Sequence, residues 1–344
     1  MLRAPPFDSP MTATPDRLVG RLVADRYRVL APVGAGAMGE VYRAEHVGLR
    51  RATALKLMRP ALGGDPDALA RFRREAEQAS RVSHPNVAAI YDFGDAGDGR
   101  VYLAMEFVEG ETLADRLARV GRLAPAEVAR VVGQAAAGLA AAHRRGVLHR
   151  DLKPANLMLA RDPAAEGGGA SGDAETVKLV DFGIARSILD PAATDGASDG
   201  ATSDGAAPAP LTRTGMVLGT PAYASPEQLA AEPLDGRSDL YALGLVAFEA
   251  LTGEPAFAAP TTRELIVQRL AGRPRRVADV LPAAGAPWVA AAQPVLDRAL
   301  APSPADRYDD APQFAAELAA ALGIAPVDPS RPAAAAPREP PAPR

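Results

Sequence analysis

The chain has 344 residues, with 42 acidic against 38 basic side chains, a formal net charge of −4 and no cysteine. That length can supply one large two-part domain or two ordinary ones, each with a well-buried core. Disulfides, thiolate metal sites and cysteine nucleophiles are excluded, and the mild acidity argues against a protein that coats nucleic acid. The 4 histidines lack metal-ligand spacing. The longest apolar run, Leu240 to Leu251, is about a dozen residues long and carries Glu249, too little to cross a bilayer. No signal-peptide core lies between Met1 and Leu30, so a cytoplasmic location is expected.

In chain order, residues 1–26 are rich in Pro and polar side chains and are expected to be disordered. Tyr27–Leu30, Glu40–Ala44 and Ala52–Met58 read as three short strands separated by turn chemistry. Asp65-Pro66 opens a helix as N-cap and first helical residue, and Leu69, Phe72, Ala76 and Ala79 mark its apolar face. Val101–Phe107 is a further strand, ending at a Glu109-Gly110 turn. Helical patterns then dominate, at Ala126–Arg144, Ser238–Leu251, Thr262–Leu270, Val289–Leu300 and Ala311–Leu322. A strand-rich first part followed by a larger helical part is the α+β order of elements. Three stretches are low in complexity: Asp162–Glu175, Asp190–Pro210 and the Pro/Ala tail from Pro326, the second too polar to pack. There is no internal repeat.

The chemistry is concentrated in four places. His149-Arg150-Asp151-Leu152-Lys153-Pro154-Ala155-Asn156 sets three useful groups in one loop. Asp151 can accept a proton from an attacking hydroxyl, Lys153 can neutralise charge on a phosphate in transfer, and Asn156 offers a neutral oxygen to a hard cation such as Mg²⁺. Gly34-Ala35-Gly36-Ala37-Met38-Gly39-Glu40-Val41 fits G-x-G-x-x-G-x-V, in which glycines let backbone N–H groups approach phosphate oxygens. A dinucleotide-binding fold would need a helix directly after Gly39, whereas Glu40–Ala44 is strand-like; a Gly-Lys-Ser/Thr phosphate loop is absent. Lys56 sits on the third strand, where an inward ammonium needs a carboxylate partner. Asp181-Phe182-Gly183 follows the strand-like Val177–Val180.

These segments, in this order, resemble bacterial Hanks-type (eukaryotic-like) serine/threonine protein kinases over Tyr27 to about Leu322. The resemblance implies a bilobal fold, with a small β-rich N-lobe over about 27–108 and a larger α-helical C-lobe over about 109–322, followed by a disordered tail over 323–344. It implies transfer of phosphate from ATP with Mg²⁺, or Mn²⁺ in its place, to Ser and Thr hydroxyls of protein substrates. Val33, Gly34, Ala35, Gly36, Ala37, Met38, Gly39, Val41, Ala54, Lys56 and Met158 would line the nucleotide, with Met105, Glu106, Phe107 and Val108 as gatekeeper and hinge. Lys56 would orient the phosphates and pair with a helical glutamate; Glu75, beside the apolar face, is favoured over Glu77. Asp151 and Lys153 would act in catalysis, and Asn156 and Asp181 would hold the metal.

In the same family pattern, Gly219–Glu227 looks like the end of an activation segment, with Ser225-Pro226-Glu227 where Ala-Pro-Glu is usual. Thr220 then points to Ser/Thr acceptors. Glu227 and Arg307 would form a buried ion pair, and Asp239 would brace the catalytic loop. Arg150 would pair with phosphorylated Thr212 or Thr214, made by autophosphorylation in a transient homodimer. A nucleotide-binding pseudokinase is the rival, and the presence of Lys56, Glu75, Asp151, Asn156 and Asp181 argues against it. No nucleic-acid partner and no membrane segment are expected. Many relatives continue into a transmembrane helix and an extracellular sensor, which this sequence does not contain.

Overall fold

Alternation decides the first half of the molecule. Along Arg51–Met58 the side chains of Thr53, Leu55 and Leu57 are buried, while Ala54 and Lys56 between them are half-buried on the opposite face. A strand with two such faces belongs inside a sheet. In the computed structural model, which describes residues 17–36, 39–58, 66–161, 175–183, 221–281 and 286–324, that sheet has six strands. They are β1 (Leu22–Val23), β2 (Tyr27–Gly36), β3 (Gly39–His46), β4 (Arg51–Met58), β5 (Ile90–Asp95) and β6 (Val101–Glu106). Their order is β1-β2-β3-β4-β6-β5, and every neighbouring pair is antiparallel. Pro32, which has no N–H to donate, lies at a register shift between β2 and β3.

The residues expected in 1–16, Ala37, Met38, Asp65, the segments 162–174 and 184–220, and the tail from 325 lie outside the described residues. This removes Thr212, Thr214 and Thr220 from the structural account. Gly39 leads into β3 and not into a helix, which ends the dinucleotide-binding alternative.

The chain divides into two units, one comprising residues 1–110, 141–147 and 158–220 and the other the rest. In the first, Val23, Tyr27, Val29, Tyr42, Ala44, Leu55, Leu57, Tyr102 and Ala104 form an apolar cluster on one face of the sheet. Helix α1 (Pro66–Ser80) buries Phe72, Ala76 and Ala79, the face expected from spacing, and Phe72 meets Phe93 of β5 edge-on with ring centres 6.4 Å apart. After β7 (Gly110–Thr112), β8 (Leu157–Arg161) and β9 (Glu175–Leu179) pair with each other. The Leu179 N–H donates to Asn86 O and its carbonyl accepts from Ala88 N–H, each at 2.9 Å, so β9 is fastened beside the loop before β5.

The second unit is helical. Helix α2 (Leu113–Val120) begins at a capping box between Thr112 and Asp115. It precedes α3 (Pro125–His143), a 3₁₀ turn at Pro154–Asn156, α4 (Pro226–Ala230) and α5 (Gly236–Thr252). Then come α6 (Thr262–Ala271), α7 (Val277–Val280), α8 (Pro287–Ala299) and α9 (Ala311–Ala321). The five long helices expected from periodicity are present, their ends displaced by no more than about two residues, the usual play in helix boundaries. Helix α5 is apolar on nearly every side and buried on nearly every side; it starts at the Asp235 N-cap and stops at Gly253, φ +79°. No helix among the described residues is long and apolar enough to cross a membrane.

Candidate active site

Within the second unit, the loop 148–157 is held from below by a buried carboxylate. Asp239, in the first turn of α5, accepts the His149 N–H on Oδ2 and the Arg150 N–H on Oδ1, both at 2.8 Å. Asp239 is only 2 % exposed, and a charge at that depth requires such donors. Arg150 has φ +61°, a left-handed conformation that costs a non-glycine residue about 1–3 kcal/mol and persists only where its surroundings fix it. Here its N–H is held by Asp239 and its carbonyl accepts from Gln228 Nε2 at 2.9 Å. Beyond it, Lys153 Nζ lies 2.7 Å from Asp151 Oδ2. Asn156 Nδ2 donates to Asp151 O at 2.8 Å and to Oδ2 at 3.2 Å, so its amide oxygen is the atom turned away from Asp151.

A second buried charge frames this loop. Arg307 grips Glu227 bidentately, Nη1 to Oε1 at 2.7 Å and Nη2 to Oε2 at 2.8 Å, and Ser238 Oγ donates to Glu227 Oε1 at 2.6 Å. The remaining Arg307 donors meet the carbonyls of Ala301, Arg237 and Pro302. Burial pushes the Glu227 carboxyl up, but the bonds from Arg307 and Ser238 outweigh it and hold the group below its ordinary range. The stretch just before Glu227 is clamped from two helices. Tyr223 OH donates to Glu249 of α5, and the buried Arg269 of α6 donates to the carbonyls of Ala222 and Ala224.

In the first unit, strand register places Val41 opposite Lys56 and Ala54 opposite Met105, so these four residues share the sheet face turned away from the apolar cluster. Lys56 Nζ lies 2.8 Å from Asp181 Oδ1, the ion pair it makes among the described residues. Asp181 has φ +59°, a second left-handed non-glycine residue at a chemistry-bearing position. Glu75 is half-buried beside the inward face of α1, while Glu77 is exposed and tied to Arg81 at 2.6 Å. Glu106 is fixed by Lys178 Nζ at 2.9 Å and by Ala89 N–H at 3.2 Å; Phe107 and Val108 follow it, half-buried, and Met158 is half-buried on β8.

The glycines of the hairpin differ from one another. A Cβ on Gly39, whose φ is +156°, would stand 2.1 Å from Leu57 O, so the sheet itself demands that glycine. A Cβ on Gly34 or Gly36 would meet nothing within 4 Å among the described residues. Val33, Gly34, Ala35 and Gly36 are all exposed.

Gln228, Lys178 and Arg269 were missed in the sequence. Ser225-x-x-Gln228 ahead of an apolar residue is a legible capping-box signal. Lys178 lies three residues before Asp181, but its partner Glu106 is far away in the chain; Arg269 reads as one more polar residue of a helix.

A catalytic-type loop braced by a buried aspartate, with a strand lysine ion-paired to Asp181, defines the class of protein. The family model described as "Protein kinase domain" matches residues 27–309, and the chain belongs to that family. It is 40 % identical over 313 residues to a protein named serine/threonine-protein kinase pkn3 from Myxococcus xanthus, covering 90 % of this chain and 52 % of that one. Serine/threonine-protein kinase PknB of Mycolicibacterium smegmatis is 36 % identical, covering 86 % of this chain and 43 % of its own length. The chain therefore spans about half the length of the curated relatives it matches. Among solved structures, the PknI kinase domain of Mycobacterium tuberculosis aligns with a TM-score of 0.66 and 30 % identity, covering 89 % of this chain and 98 % of that one.

Proposed function

We propose that the chain transfers the γ-phosphate of ATP, with Mg²⁺, to Ser and Thr hydroxyls of proteins. The observation that carries this is the loop at Asp151. A carboxylate is held 2.7 Å from the Lys153 ammonium, its backbone is fixed on both sides, and Asn156 has its amide nitrogen engaged by the same residue. Phosphoryl transfer asks mainly for positioning and neutralised oxygens, and this loop offers both.

The residues suit the nucleotide and its cation. The open space over Gly34 and Gly36 leaves room for phosphate oxygens to approach backbone N–H groups. Asp181 offers a carboxylate and Asn156 an amide oxygen, hard donors of the kind Mg²⁺ prefers. Mg²⁺, when bound, would neutralise and orient phosphate oxygens. Lys56 would bind the α- and β-phosphates, with Asp181 and Glu75 as its carboxylate neighbours. Val33, Val41, Ala54, Met105 and Met158 would supply apolar contacts to the adenine, and the backbone of Glu106 and Val108 its hydrogen bonds. Asp151 would orient the acceptor hydroxyl and take its proton, and Lys153 would offset charge on the departing phosphoryl group.

The kinase domain is assigned to residues 27–322, with lobes of about 27–108 and 109–322. Thr220 would favour Ser and Thr acceptors. Arg150 would receive a phosphorylated Thr212 or Thr214 after autophosphorylation between two copies, and the site of action is the cytoplasm. The test is Asp151→Asn with radiolabelled ATP and a generic acceptor. Transfer is expected to fall about 10²–10⁴-fold while nucleotide binding persists. Transfer at the parent rate would overturn the assignment, and a parent protein that binds ATP without turnover would favour the pseudokinase.

A further inference from the structure

Gln228 stands outside every motif that suggested a kinase, yet its side chain joins two parts of the site. It is half-buried at the third position of α4. Its Oε1 accepts the Ser225 N–H at 2.9 Å, its N–H donates to Ser225 Oγ at 3.3 Å, and its Nε2 donates to the carbonyl of Arg150 at 2.9 Å. Arg150 is the residue held at φ +61° immediately before Asp151. Its N–H is anchored by Asp239, so Gln228 supplies the matching anchor at the carbonyl.

We propose that Gln228 is a positioning residue for the phosphoryl-transfer reaction: by donating to the Arg150 carbonyl it fixes the strained peptide that aims Asp151, and it couples that aim to the order of residues 221–228. Two physical facts point this way. A left-handed non-glycine residue persists only where its flanking peptides are held, and the described bonds to those peptides include Asp239 on one side and, on the other, Gln228 at the Arg150 carbonyl and His149 O at the Asp151 N–H, 2.8 Å away. Ser225 fastens the same amide, so the donor to Arg150 is in place only when the start of α4 is formed. The segment that would receive an acceptor peptide therefore reports its own order to the catalytic loop through one side chain.

The claim rests on the kinase reading above, and the isosteric substitution Gln228→Glu isolates it. A carboxylate keeps the Ser225 N–H and is at least as good in a capping box, so helix α4 is expected to stay formed. It cannot donate to the Arg150 carbonyl and instead sets two acceptors face to face. Loss of a hydrogen bond that leaves a partly buried acceptor opposed is expected to lower kcat about tenfold or more and Tm by a few degrees, with the ATP dissociation constant unchanged.

Ser225→Ala serves as the converse. It removes the cap acceptor but keeps the Ser225 backbone N–H and the Gln228 donor, so Tm is expected to fall and kcat to stay within about twofold. A Gln228→Glu enzyme with parental kcat would overturn the proposal. If Gln228→Glu does not fold, Gln228→Ala set against Ser225→Ala decides: equal kcat in the two would sink the positioning role. A parent protein without transfer activity would instead strike the kinase reading itself.

Discussion

The loop around Asp151 and the hairpin between Gly34 and Gly39 carry the two ends of the proposed chemistry, and they are built on opposite principles. In the loop the polar groups are answered from within the chain: Asp239 takes two backbone N–H groups, Gln228 meets the Arg150 carbonyl, and Lys153 and Asn156 meet Asp151. In the hairpin, Gly34 and Gly36 face open space among the described residues, and the backbone nearby is exposed. A group that must aim at a reacting atom gains from being fixed before substrate arrives. A cradle for phosphate gains from being left vacant of side chains. Substitutions in the loop and its frame should therefore register first as lost stability, and substitutions at the hairpin's open glycines as lost affinity.

The largest effect is expected at the frame. Arg307→Ala leaves the Glu227 carboxylate buried without its cation, which typically costs about 3–5 kcal/mol, measurable by urea denaturation. The same pair gives a pH dependence. The folded Glu227 carboxyl titrates below its ordinary value of 4.5, so the unfolded chain binds the proton more readily. Its contribution is then fully present above about pH 4.5 and lost as pH falls through the lower folded value. In Glu227→Gln the acid-side slope of stability against pH should flatten; an unchanged slope would show that other carboxylates dominate.

Asp239→Asn ranks next. An amide can accept only one of the two N–H groups and presents its own NH₂ to the other, so a stability loss of about 1–3 kcal/mol is expected, with a fall in kcat as Arg150 relaxes. A variant that loses stability but keeps kcat would show that the left-handed Arg150 does not need this anchor.

The same contrast explains what could be read from the sequence. Four strands of the sheet, β2, β3, β4 and β6, and the long helices were legible because alternation and 3.6-residue spacing survive in a one-dimensional text, as along Arg51–Met58 and in the Phe72, Ala76, Ala79 face. Strand β5 was missed because Asp92, Gly94 and Asp95 interrupt its pattern; Asp92 is there to accept from the hydroxyls of Tyr27 and Tyr102 and from Arg26. Burial and that carboxylate push the Tyr27 hydroxyl up to about 12. Helix α2 is short, and its capping box at Thr112 and Asp115 is its main local signal. The catalytic-type residues were legible as a motif, but the partners that hold them were not. Gln228 is 78 residues from Arg150 and Asp239 is 89, and no periodicity links positions so far apart.

The smallest effect on stability is expected at the hairpin's open glycines, and the hairpin tests the contrast most directly because one motif contains both kinds of glycine. Gly39→Ala drives a methyl against Leu57 O and forces φ +156° on a residue with a Cβ, so about 1–3 kcal/mol of stability should be lost. Gly34→Ala has nothing within 4 Å to strike among the described residues, and its backbone is not left-handed. Stability should hold or rise by up to about 1 kcal/mol, since alanine restricts the unfolded chain. Its methyl would instead occupy space that a phosphate needs, so KM for ATP should rise several-fold with Tm unchanged. Equal losses of stability in the two variants, or a Gly34→Ala enzyme with parental KM, would mean that the open glycines are not the cradle.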